Sequence, residues 1–199
     1  TSPCAGITPT RSDRGKLRLL SVEQVAARAA KVPARYRALV VFAAGSGLRP
    51  GECFGLTVAR VDFLRRQVTV DRQLVGTRAG KPSWGPPKSP AGHRVVPLAK
   101  GVCDALAAHL AEFPPGESGL VFTNGARSPL TRSRWSEIWH KAETDDAWAV
   151  PHDLRHFFAS LLIHKGCTVK AVQVRLGHES AVETLNTYGH LWPSGDDDV

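Results

Sequence analysis

Glycine and proline punctuation constrains this chain more than any other feature. Breaks at Pro33, Gly45 and Gly47, Pro50, the stretch 76–92, Pro114-Pro115-Gly116, Gly166 and Gly177 cut it into short segments. Helices that short are marginal alone in water and depend on packing an apolar face against a neighbour. Ser21-x-x-Gln24 is a capping box opening a first helix, which Pro33 ends; Pro33 can then serve as first residue of the next. That second helix carries the core run Leu39 to Ala44 and is expected to stop at Gly45 and Gly47. Pro50 is placed to begin a short third helix through about Leu56. Gln67 to Val75 alternates β-branched residues and predicts one strand; residues 76–92, dense in glycine and proline, predict an exposed loop; Arg94 to Pro97 predicts a returning strand.

Beyond the sheet, Val102, Leu106, Leu110 and Phe113 recur at helical spacing, and Leu120 to Phe122 suits a short buried strand. Trp135, Ile138, Trp139 and Ala142 mark a further helix. The stretch 151–165 predicts another, stopped by Gly166, and 169–176 the next, stopped by Gly177. A last helix opens at a second capping box, Ser180-x-x-Glu183, and reaches about Tyr188. The sum is an α+β domain, mainly α-helical with a small antiparallel β-sheet. Residues 1–18, rich in Pro, Ser, Thr and Gly with Arg11, Arg14, Lys16 and Arg18, read as a basic linker or arm, and 193–199 as a disordered acidic tail.

With 199 residues, one domain is the expectation, and no apolar run approaches the ~20 residues that span a bilayer. Membrane function is excluded on that reading. No signal-peptide pattern opens the chain; with Thr1 first and no methionine, a processed or excised piece of a cytoplasmic protein is expected. Cys4, Cys53, Cys103 and Cys167 form no C-x-x-C pair, which argues against a thiolate zinc knuckle or a disulfide scaffold. Charge is more informative. Residues 1–100 carry 18 Lys and Arg against 5 Asp and Glu, whereas 101–199 carry 8 against 13. Such asymmetry suits a polyanion partner, most simply nucleic acid, although a solvated basic surface would look the same.

Five segments hold polar residues that core building does not require. Gly47-Leu48-Arg49-Pro50-Gly51-Glu52 holds an arginine at a helix start with a carboxylate three residues on. An arginine fork can clamp two phosphate oxygens while the glutamate fixes its orientation; taken alone, the segment reads first as a solvated turn. Lys88, in Pro87-Lys88-Ser89, is a mobile cation or simply a solvated loop lysine. In His152-Asp153-Leu154-Arg155-His156, helical spacing puts His152, Arg155 and His156 near one face. The His-x-x-x-His spacing imitates a zinc-protease helix. That motif needs glutamate where Asp153 stands and a third ligand, and an adjacent arginine would repel the metal. His156, followed by two phenylalanines, also suits a satisfied core histidine. Leu176-Gly177-His178 presents a histidine after a glycine stop, and Thr187-Tyr188-Gly189-His190 ends the last helix.

Together these residues form a toolkit for phosphoryl transfer. A phenol of pKa near 10 is a poor nucleophile at neutral pH and needs a base or a cationic surround. Arg49, Arg155 and His178 would donate to the nonbridging oxygens of a phosphodiester transition state, and Lys88 would protonate the leaving 5′ oxygen. This chemistry requires no metal and no cofactor.

In this order and spacing the five segments, with Arg94-Val95-Val96-Pro97-Leu98 six residues beyond Lys88, resemble the tyrosine recombinases, the phage integrase family. The resemblance runs over about residues 19–192 and corresponds to the family's catalytic domain. It implies the DNA breaking-rejoining fold. Arg49 and Arg155 would clamp the scissile phosphate, and Tyr188 would attack it to leave a 3′-phosphotyrosine and a 5′ hydroxyl. Lys88 would be general acid, His152 would assist proton transfer, His178 would bond a phosphate oxygen, and Glu52 would support the first arginine. It further implies double-stranded DNA attachment sites as partners, integration or excision of mobile or viral DNA, and a homotetramer of the full-length protein passing through a Holliday junction, with DNA-bending accessory proteins as candidates. Family members normally carry an N-terminal core-binding domain. Residues 1–18 would be the linker to it, and the isolated domain is expected to be monomeric and to bind DNA weakly. A type IB topoisomerase-like strand transferase is the sister reading, favoured less because of Leu-Gly-His and the compact length. A noncatalytic DNA-binding module, with 166–180 as a helix-turn-helix, is the rival of another class.

Overall fold

The structure is a computed structural model that describes residues 17–78, 81–142, 144, 145 and 148–193. Most of the N-terminal arm, the acidic tail beyond Pro193 and Cys4 lie outside the described residues. Eight helices occur among them: α1 Val22–Lys31, α2 Ala34–Ser46, α3 Pro50–Phe54, α4 Lys100–Glu112, α5 Arg132–Lys141, α6 Asp153–His164, α7 Val169–Leu176 and α8 Ala181–Tyr188. Strands are β1 Val61–Asp62, β2 Gln67–Val70, β3 Gln73–Arg78, β4 Lys81–Gly85 and β5 Arg94–Pro97. No helix among the described residues is long and apolar enough to cross a membrane.

The second helix is the axis of the domain. Its apolar residues run all round it, with Leu39, Val40 and Phe42 essentially inaccessible, because α1, α4 and α6 cover it on separate sides. The α1 capping box forms as the sequence implies: Gln24 N–H donates to Ser21 Oγ, and Ser21 N–H donates back to Gln24 Oε1. Arg28 fixes α1 to α5. Its Nη1 donates to the carbonyls of Trp139 and Ala142, and its guanidinium lies 4.5 Å from the Trp139 ring centroid.

Two glycines of α2 do different work. Gly45 lies inside the helix rather than ending it, since any Cβ there would overlap Val102 of α4; it marks the close approach of two helices. Gly47 is the stop, with φ of 63° in the left-handed region. Pro33 is the N-cap of α2 rather than its first residue, so the helix begins at Ala34, one position later than expected.

The sheet is more divided than the sequence suggested. β2 pairs antiparallel with both β1 and β5, in the order β1-β2-β5, with Val68 opposite Val96. The expected strand over Gln67 to Val75 breaks at Asp71 and Arg72, where the chain leaves this sheet and enters a separate hairpin, β3-β4. The expected loop over 76–92 therefore contains a strand. Its prolines misled because a two-stranded ribbon offers each strand an open edge, where a missing N–H costs no ladder bond. Arg72 lies 4.2 Å from the Trp84 ring centroid, and Gln73 Nε2 donates to Pro86 O, which closes the hairpin below Lys88. Leu120 to Phe122 forms a single bridge to Thr57 instead of a strand, with Val121 N–H donating to Leu56 O.

Candidate active site

Polar residues converge where the starts of α3 and α6, the C-terminus of α7 and the end of α8 meet. Arg49 is the N-cap of α3, and its backbone N–H donates to Glu52 Oε2 at 2.8 Å, while Arg49 Nη1 donates to Glu52 Oε1 at 3.4 Å. The α3 helix is held down by its glycines: a Cβ on Gly55 would stand 2.7 Å from Leu74 N of β3. The hairpin that carries the chain toward Lys88 therefore packs directly on the helix that starts at Arg49.

The last carbonyls of α7 have no intrahelical donors, and three arginines supply them. Arg94 Nε donates to Arg175 O at 2.9 Å, Arg155 Nη2 to Leu176 O at 2.7 Å, and Arg49 Nη2 to Gly177 O at 3.3 Å. Arg155 Nη1 also donates to Gly47 O at 2.6 Å. Gly177 permits this convergence. Its φ is 68°, and a Cβ would lie 2.9 Å from Arg94 Nη1 and 3.0 Å from Ala91 O.

Arg94 is the residue that the motif reading left without a role. Its side chain is buried and forms a two-point pair with Glu52, Nη2 to Oε2 at 2.8 Å and Nη1 to Oε1 at 3.2 Å. Burial alone would raise the Glu52 carboxyl. The hydrogen bond and charge of Arg94, with the backbone N–H and charge of Arg49, outweigh burial and hold it below the usual carboxylate range. A sequence signal existed: Arg94 shares the alternation phase of Val96, which faces the core, and an arginine at a core phase needs a buried partner.

The three histidines nearby are kept neutral. His152 is the N-cap of α6 rather than a residue inside the helix, and its ring meets that of His156 edge-on at 5.1 Å. Water excluded from its inner edge, followed by repulsion from His156, Arg155, Arg49 and Arg132, pulls its pKa down to about 4. His178 shares a 2.9 Å hydrogen bond between Nδ1 and Thr184 Oγ1, and Gln173 Nε2 donates to its carbonyl. Burial, then Arg155, Arg49 and Arg94, pull its pKa to about 3, so the 3.6 Å approach of Glu183 Oε1 to Nε2 is no ion pair near neutrality. Ser180 accepts from Glu183 N–H, but Glu183 leans toward His178 instead of closing the second capping box.

Tyr188 ends α8 with 1% of its surface exposed. Its Oη lies 2.7 Å from His156 Nδ1, with the rings 5.6 Å apart. Burial raises the phenol pKa to about 12, against the pull of Arg155. Arg155, although lowered to about 10 by burial and by Arg49, remains charged at neutral pH.

Arg49, Lys88, His152, Arg155, His178 and Tyr188 all line one open cleft of about 370 Å³, joined by His156, Glu183 and Thr187. Lys88 stands exposed at its rim. Glu52 lies behind Arg49, out of the cleft lining. Among the described residues no group of three or more His, Cys, Asp or Glu is arranged to hold a metal ion.

The phage integrase family model matches residues 17–194. A XerC-like tyrosine recombinase of Caldanaerobacter subterraneus subsp. tengcongensis is 28% identical over 183 residues, covering 80% of this chain and 46% of that protein. Tyrosine recombinase XerD of Corynebacterium glutamicum is 30% identical over 203 residues, covering 94% of this chain and 61% of that protein. The chain thus spans about half the length of the curated relatives it matches. A solved structure of the Tn1549 transposon integrase with transposon right end DNA aligns with a TM-score of 0.79 at 23% identity, covering 94% of this chain and 65% of that one. At that identity the likeness is one of fold.

Proposed function

The chain belongs to the phage integrase family, and from that premise we propose that it is the catalytic domain of a site-specific DNA recombinase acting through a 3′-phosphotyrosine at Tyr188. The observation that carries this reading is the convergence of two arginines, a lysine, two histidines and the tyrosine, from five separate segments, on a single cleft.

Each group has a role its surroundings suit. Arg49 and Arg155 are braced by main-chain carbonyls on one side and retain N–H groups for the nonbridging oxygens of a phosphodiester. Such donors act without reorganisation when charge develops in the transition state. Neutral His178 donates a further hydrogen bond from Nε2, its Nδ1 being taken by Thr184. Lys88, on a mobile stem at the rim, gives a proton to the 5′ oxygen as the P–O5′ bond breaks, and His152 assists proton transfer from the α6 N-terminus. Glu52 orients Arg49 from behind. The phosphodiester energy is kept in the tyrosyl ester, so rejoining needs no ATP.

The proposed partner is duplex DNA at attachment sites. The Tn1549 relative was solved on transposon DNA, and the basic N-terminal half suits the same polyanion. A homotetramer of the longer protein, accessory DNA-bending proteins and a cytoplasmic setting belong to the same proposal. The test is a nicked suicide duplex carrying candidate attachment sequence, mixed with the chain at high concentration and low salt, and scored for a denaturation-resistant adduct. The expected result is an adduct that Tyr188→Phe abolishes. Binding without any adduct, across sites that a longer relative cleaves, would refute the assignment.

A further inference from the structure

Of the cleft residues outside the motif set, His156, Glu183 and Thr187, one touches the nucleophile. His156 follows Arg155 on α6, and its Nδ1 is 2.7 Å from the Tyr188 hydroxyl. Among the described residues it is the sole hydrogen-bond partner of that phenol. We propose that His156 is the general base for Tyr188, accepting the phenolic proton on Nδ1 as Oη attacks the scissile phosphorus. The inference rests on the phosphotyrosine reading and goes beyond it by naming the group that makes the nucleophile.

The need for a base follows from burial. A phenol at pKa of about 12 is ionised to about one part in 10⁵ at pH 7, so a site that waited for spontaneous ionisation would be idle almost all the time. Neither arginine can take a proton, Lys88 is assigned the opposite role of donor to O5′, and His178 commits Nδ1 to Thr184. His152 meets His156 edge-on and has no hydrogen bond to the phenol among the described residues. His156 has both the position and the protonation state required. Burial is the main cause that lowers its pKa below the ordinary 6.5, with Arg155 adding to the effect and Asp153 opposing it. The base is therefore neutral at working pH with a lone pair available, as a positioned base must be.

The step balances. Tyr188 Oη bonds to phosphorus, its proton passes to His156 Nδ1, the P–O5′ bond breaks, and O5′ receives the Lys88 proton. On rejoining, the imidazolium returns its proton to Oη as the tyrosine leaves. The charged and titratable groups around His156 are His152 at the α6 N-cap, Asp153 and Arg155 from α6, Tyr188 and Glu183 from α8, His178 from the α7–α8 junction, Arg49 from the start of α3 and Lys88 from the cleft rim.

A suicide duplex with sulfur at the 5′ bridging position isolates this half of the reaction, because a thiolate leaves without a general acid. Single-turnover adduct formation would be followed from pH 5 to 9, with DNA binding and circular dichroism measured on each variant. For the unaltered chain the rate is expected to rise and level off below pH 6.5. In His156→Ala it should fall by about 10²–10³-fold, lose the plateau, climb steadily with pH, and recover in part with added imidazole. His156→Asn keeps an acceptor near the phenol and guards against loss of fold; it too should lose the plateau. A His156→Ala rate equal to that of the unaltered chain, or a His156→Asn variant that keeps both rate and plateau, would overturn the base and leave the nucleophile assignment standing. Failure of the unaltered chain to form any adduct would overturn the phosphotyrosine reading and this inference with it.

Discussion

Replacing Arg94 by methionine tests whether the cleft is organised from behind. Side-chain exposure is 3% for Arg94 and 1% for Glu52, so the substitution strands a carboxylate away from water. It also removes the donors to Gly92 O and Arg175 O. Breaking a buried pair from one side costs about 3–5 kcal/mol. For a chain of this size each kcal/mol moves Tm by about 2–4 °C, which places the expected fall at about 6–20 °C. Pairing Arg94→Met with Glu52→Leu removes the stranded charge and should restore at least half of the lost stability, because a buried ion pair and an apolar pair of similar volume are often close in energy. Activity should not return with it, since Arg49 then has no carboxylate to hold its guanidinium or its backbone N–H. Thermal melts by far-UV circular dichroism at pH 7, with the suicide-duplex assay in parallel, separate the two effects. A fall below 2 °C for Arg94→Met, or a double variant that loses the sum of the single losses, would refute the reasoning.

Four more outcomes follow from the same geometry. The Glu52 carboxyl is held below its free value of 4.5, so its contribution is complete above that pH and disappears as pH falls through the lower folded value; acid titration of stability should be shallower in Glu52→Gln. His178 and His152 are held neutral at about 3 and 4, below the free value of 6.5, so stability should decline as pH drops from 6.5 toward 4, and His178→Asn should reduce that slope in a melt series. Gly177→Ala forces a left-handed conformation at about 1–2 kcal/mol and presses on Arg94, so Tm should fall by at least about 2–8 °C and adduct formation by more than the melt implies. Sulfate should occupy the cleft arginines and at 100 times its Kd add about 2.7 kcal/mol, a rise of about 5–11 °C that sodium chloride of equal ionic strength does not reproduce and Arg49→Gln removes.

Helices were legible because their signals are local. The Ser21 cap, the Gly47, Gly166 and Gly177 stops and the apolar periods of α4 and α5 each lie within a few residues of what they specify. The β3-β4 hairpin was not. Pro82 and the glycines around it describe a loop until one knows that Leu74 faces Trp84 across a ribbon and that the ribbon rests on Gly55 of α3. Gly45 was misread for a related reason: a helix stop and a helix crossing both call for glycine, and only Val102 on α4 distinguishes them.

The cleft divides along the same line. Residues that line the cleft stand in short motifs and could be named from chemistry and spacing. Residues that hold those groups in place are specified by contacts across the fold: Arg94 to Glu52 over 42 positions, Arg155 to Gly47 over 108, and Arg49 to Gly177 over 128. His156 falls between the two. Its place beside His152 and Arg155 was visible, yet nothing local states that helix α8 brings Tyr188 to its Nδ1 32 residues later. A histidine before two core phenylalanines has the same sequence appearance whether it fills space or receives a proton. The difference lies in the partner, and the partner is a phenol whose own burial makes a base necessary.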